Sequence, residues 1–159
     1  MNKKNIYLEI KLIAILCIMV SYMASGQKIL FKSETPVGDA NVILIETPLD
    51  DAEAFKVAGR ILVKTGYTVE KAAEDFQYIS TKPENRENYS FPTNITVSIL
   101  DQKLIIRGFY YQKDRRHSGF FKRNGVKSLV TFRFMDEYAQ ELKQAVHAES
   151  FEYGVEKVL

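Results

Sequence analysis

The chain predicts an α+β fold: an antiparallel meander sheet of about five to six strands with two helices packed on one face, in the order β-α-β-β-β-β-β-α. Three observations carry that expectation. Asp50–Thr65 is an amphipathic helix that stops at Gly66. Short, β-branched segments separated by polar turns follow it. A second amphipathic stretch then begins near Asp136.

Residues 1–26 differ from the rest. Lys3, Lys4 and Lys11 precede the apolar run Leu12–Ala24, and Ala24-Ser25-Gly26 places small residues where signal peptidases cut. Residues 1–26 therefore read as a signal peptide, and the chain as exported, periplasmic or secreted after cleavage near Gly26. The competing reading is a retained anchor, but the run is shorter than the roughly 20 residues a span needs. Cys17 follows Leu16 rather than a small residue, which argues against lipidation. Cleavage would remove that cysteine, and with it disulfides and thiol chemistry. It would also equalise the 22 basic and 20 acidic residues, since the signal holds three lysines and Glu9. A neutral mature chain gives no argument for nucleic acid, and no transmembrane span is expected within it.

Residues 27–40 read as a polar lead-in, 41–148 as a single α+β domain and 149–159 as a C-terminal tail, either a short edge strand or loosely docked. Asn41–Glu46 is an apolar run of strand length. In the helix, Asp50 is the N-cap and Glu53 lies three residues on. Phe55, Ala58 and Leu62 form its apolar stripe, and Gly66 supplies the left-handed position beyond its end. Gly59 inside the helix marks a close approach of a strand, or nothing. Tyr67–Lys71 and Gln77–Lys82 are expected strands. Asn94–Leu100 and Leu104–Gln112 form the clearest hairpin, turning at Asp101-Gln102-Lys103. Gly108 suggests a bulge or a close backbone approach. Lys113–Lys127 reads as a long loop. Val130, Phe132 and Phe134 alternate in Ser128–Phe134, which predicts another strand, with Asp136 as N-cap of the second helix.

That order, with Gly66-Tyr67-Thr68-Val69 followed by Tyr78-Ile79-Ser80-Thr81, resembles the TATA-binding-protein-like, helix-grip domains of small bacterial envelope proteins. It is similar to the domains of BamC-type outer-membrane assembly lipoproteins. The resemblance implies a non-enzymatic role in assembly or binding. The absent lipidated cysteine departs from the lipoprotein members.

The chemically unusual stretch is Lys113–Lys127. Its candidate binding residues are Lys113, Arg115, Arg116, His117, Phe120, Phe121, Lys122 and Arg123, opposed by the single acid Asp114. Cations interleaved with aromatics suit an anionic envelope partner: a protein, a lipid headgroup or a glycan. The plainer reading is a solvated loop whose phenylalanines fold onto the core. No catalytic residues, metal ligands or cofactor are predicted. The two histidines, His117 and His147, lack companion ligands at workable spacing, and no carboxylate pair or phosphate loop stands out. The expected function is an exported, non-enzymatic binding or assembly module. The alternative is a small hydrolase with His117 as base, or a small-ligand carrier, using a pocket between sheet and helices.

Overall fold

The computed structural model describes residues 28–35, 39–85, 91–113, 115–118 and 130–157. Residues 29–156 form one compact α+β unit. Its strands are β1 (Lys28–Ser33), β2 (Val42–Glu46), β3 (Val69–Ala73), β4 (Tyr78–Thr81), β5 (Thr93–Leu100), β6 (Lys103–Gln112), β7 (Arg115–Ser118) and β8 (Phe151–Lys157). The helices are α1 (Asp51–Lys64) and α2 (Val130–Ala145). The eight-stranded sheet has the order β1-β8-β2-β6-β5-β4-β3, with β7 also on β6.

The sheet is larger than expected, and only β3 to β6 form a meander. β2 crosses to the far side of β6, and β8 lies between β1 and β2. The reason is legible in β2 itself. Val42, Ile43, Leu44 and Ile45 are all buried, so both faces of that strand are covered, which suits an interior position. β1 falls in the expected lead-in. The C-terminal stretch pairs as an interior strand, Val42 opposite Gly154 and Ile45 opposite Phe151.

α1 forms as its caps require. The Asp50 carboxylate accepts the Glu53 N–H at 2.8 Å. At the other end Gly66 has φ 82°, the Gly66 N–H reaches the Val63 carbonyl and the Tyr67 N–H reaches Leu62. Those two bonds satisfy the last carbonyls and swing Tyr67 back into the core. There it meets Tyr138 of α2 edge-on, with ring centroids 6.3 Å apart. The Tyr138 hydroxyl donates to the Ala58 carbonyl at 3.1 Å, which ties the two helices together. Both helices cover one sheet face, packing on Ile43 and Ile45, Ile79, Ile95, Val97 and Ile99, and Leu104 and Ile106.

The expected strand Ser128–Phe134 is corrected. From Val130 onward it is the first part of α2, and Asp136 is interior rather than a cap. Phe132 and Phe134 alternate only locally. Phe132, Met135, Ala139 and Leu142 are buried at spacings of three and four, and Tyr138 joins them, so the helical period prevails over the longer window. The Asp136 carboxylate instead accepts the Tyr153 hydroxyl at 2.6 Å. Lys113–Lys127 is not all loop, because Arg115–Ser118 pairs with β6. Gly108 carries no bulge, since the β5 register runs through it without a shift.

β6 is the spine. β5 occupies one edge from Leu100–Lys103 to Thr93–Tyr110. The other edge is shared: β2 pairs up to Arg107 and β7 from Phe109. On the far side of β2, the Asn41 carboxamide both donates to the Glu156 carbonyl (2.8 Å) and accepts the Glu156 N–H (2.7 Å). The Glu156 carboxylate grips Arg107 with two 2.7 Å bonds. Those side chains are only 14% and 7% exposed, so the pair is shielded enough to matter.

Three stability predictions come from this geometry. Arg107→Ala leaves Glu156 buried and unpaired and should cost about 3 kcal/mol in urea unfolding, whereas the double change Arg107→Met with Glu156→Leu should fall within ~1 kcal/mol of wild type. A Cβ at Gly59 would meet Ile79 Cδ1 at 3.6 Å, an ordinary contact. Gly59→Ala should therefore stabilise by roughly 0.5–1 kcal/mol. His147, at φ 55° just past α2, should gain about 1 kcal/mol as glycine, which tolerates that conformation.

Candidate functional site

β6 carries the candidate site because it outruns its neighbours. After Arg107 it loses β2, and after Tyr110 it passes the end of β5, where the Tyr111 N–H is taken by the Pro92 carbonyl at 2.9 Å. Its last residues turn back as β7. Gln112 opposes Arg115, so two residues make the turn, and Lys113 enters it at φ 49°.

Strand alternation then distributes the side chains. Tyr110 and His117 are directly opposed and stack, with ring centroids 4.9 Å apart and planes 17° from parallel. Phe91, partly exposed, adds a third ring 6.1 Å from Tyr110. On the opposite face the Arg116 guanidinium lies over the Phe109 ring, its Cζ 3.4 Å from the centroid. That contact fixes the cation flat while leaving its N–H edges outward. Lys113, Arg115 and Arg116 are exposed and His117 is half-buried. Among the described residues, none of the three cations has a carboxylate within ion-pair distance. Lys32, Lys64, Lys103, Arg107 and Arg133 each pair with a glutamate. Among the described residues, the hairpin cations share their lack of an ion pair with scattered lysines such as Lys56 and Lys143, but they are gathered at one tip. Phe120, Phe121, Lys122 and Arg123 lie outside the described residues.

The hydrolase alternative turns on the described surroundings of His117. Ser118 is its strand neighbour and so points to the other face, and the imidazole is stacked on Tyr110. The cavities lie elsewhere. One of 370 Å³ is lined by Leu44, Glu46, Thr47, His147, Glu149 and Glu152, among others, but Glu46 is held by Lys103 and Glu152 by Lys32. Another, of 300 Å³, is lined by Glu34, Lys143, Ser150 and Tyr153 among others. Among the described residues no three His, Cys, Asp or Glu side chains gather as a metal site, and no helix is long and apolar enough to cross a membrane.

Tyr153, which lines the second of these cavities, is a titratable group altered by its surroundings. Burial, reinforced by its hydrogen bond to Asp136, pushes its phenol well above the usual range. A raised folded value means that the neutral phenol stabilises the fold. That contribution is whole below the unfolded value near ~10 and declines as pH climbs past it. Unfolding curves between pH 8 and 12 should therefore fall more steeply for wild type than for Tyr153→Phe.

No protein-family profile matches the chain, and no curated protein does. Among solved structures, the crystal structure of a DUF4468 family protein from Bacteroides ovatus resembles it at a TM-score of 0.43 and 12% identity, covering 77% of this chain and 94% of that one. A likeness at that distance says nothing of activity. Neither the family profiles nor the curated proteins support a relationship to BamC-type domains.

Proposed function

We propose that the chain is an exported, non-enzymatic binding or assembly module of the cell envelope, engaging an anionic partner through the β6–β7 hairpin. The observation that carries this reading is the cluster of Lys113, Arg115 and Arg116, which face no carboxylate among the described residues, with Arg116 laid over the Phe109 ring. A solvated loop would not need Arg116 immobilised on Phe109 or Tyr110 stacked against His117. Ordering long side chains costs entropy, and a cation ordered before its partner arrives loses less when it binds. Export rests on residues 1–26, whose charge and hydropathy plan suits a signal peptide.

Retention on an immobilised acidic polymer, polygalacturonate, tests the binding half. Wild type should elute at clearly higher salt than Lys113→Glu/Arg115→Glu/Arg116→Glu, with both melting at the same temperature because the changed side chains are exposed. Coincident elution removes the hairpin from the function. A phosphatase reporter fused after Gly26 tests export: it should be active only outside the cytoplasm, and cytoplasmic retention of the fusion contradicts the reading.

A further inference from the structure

Charge is segregated along the strand direction. At one end of the sheet lie the β3–β4 turn with Glu74 and Asp75, the β5–β6 turn with Asp101, and the start of α1 with Asp50, Asp51 and Glu53. Hydrogen bonds hold these together: the Asp51 carboxylate accepts the Asp101 and Gln102 N–H groups at 3.2 and 2.8 Å, and the Ile99 N–H reaches the Gln77 carbonyl at 2.9 Å. The β6–β7 hairpin is at the other end. The ten residues of β6 put roughly 30 Å between the two. That is several times the ~8 Å screening length at physiological salt, so a charged surface touching one end hardly senses the other.

The shape of the basic end narrows the ligand. Among the described residues, neither of the two cavities above includes Lys113, Arg115, Arg116 or His117. Arg115 and Arg116 are neighbours in a strand and so leave it on opposite faces, with Lys113 at the tip between them. Cations that leave a strand on opposite faces do not converge on one small anion. They match an extended plane of negative charge, which each reaches separately. Rings of tyrosine and histidine just behind the tip, Tyr110, Tyr111 and His117, have the half-apolar, half-polar character favoured at the headgroup level of a bilayer.

From this geometry we infer that the domain docks end-on on an anionic phospholipid surface, with the β6–β7 hairpin at the headgroups and the acidic β5–β6 turn held away from them. This rests on the anionic-partner reading above and names its chemistry. A Lys or Arg near such a surface strengthens partition by roughly fivefold, so the three together contribute about 100-fold.

The test uses residues 27–159, the cysteine-free chain that cleavage after Gly26 would leave, with vesicles of phosphatidylcholine alone or mixed with 30% phosphatidylglycerol. Sedimentation should show partition that needs phosphatidylglycerol, weakens with salt, and drops about 100-fold in Lys113→Gln/Arg115→Gln/Arg116→Gln. An environment-sensitive dye on Arg115→Cys should blue-shift on the mixed vesicles, while the same dye on Leu100→Cys, at the acidic end, should not. Partition that ignores lipid charge or the triple change overturns the inference, as does a shift at position 100 equal to that at 115. If vesicles fail while polygalacturonate still separates wild type from the variant, lipid is the wrong partner and the anionic-partner reading stands. If neither separates them, both fall.

Discussion

β6 is hydrogen-bonded along both edges, and a strand has only two. β5 takes one edge from Lys103 to Tyr110, and β2 and β7 lie end to end on the other. That constraint creates a break in the row opposite Gly108. On the far side of β2, Asn41 lends its carboxamide to Glu156 and so prolongs the β2–β8 ladder, while the doubly bonded Arg107–Glu156 pair ties β6 to β8 past the end of β2. The last strand described is thereby fastened beside β2, in the sheet order observed.

The same strand divides structure from candidate function. Its first half, Leu104 and Ile106, is buried under the helices, where every side chain is fixed by packing. Its second half carries no β2 and ends in exposed cations. A rigid strand rooted in the core is a better platform for a contact surface than a free loop, because less order must be lost on contact. Helix pairing supports the root: the α1 cap turns Tyr67 onto Tyr138, and Tyr138 bonds back to α1.

Local signals were legible and long-range ones were not. Asp50, the apolar stripe of α1 and Gly66 behaved as a short window of sequence dictates, and so did the β5–β6 hairpin, whose turn residues Asp101 and Gln102 both take positive φ. Ser128–Phe134 misled because three alternating residues satisfy a strand, and the helical period emerges only once Met135, Ala139 and Leu142 are counted. β7 was hidden because Arg-Arg-His-Ser has little strand propensity; its pairing depends on β6. Arg107 and Glu156, 49 residues apart, carry no local signal of their union. At the candidate site the cations could be read directly. That Arg116 would stack on Phe109 and His117 on Tyr110 required knowing the register.

The measurement that bears most directly on this account is backbone hydrogen exchange, residue by residue, without and with anionic phospholipid vesicles. Leu104 to Gly108 should be among the slowest amides in the free protein, opening only with global unfolding, while Gln112 to Ser118 exchange faster. On the vesicles, protection should rise at the hairpin and stay unchanged at Asp101 and Gln102. Fast exchange throughout β6, or new protection confined to the acidic end, would contradict the view that one core-rooted strand presents the contact surface.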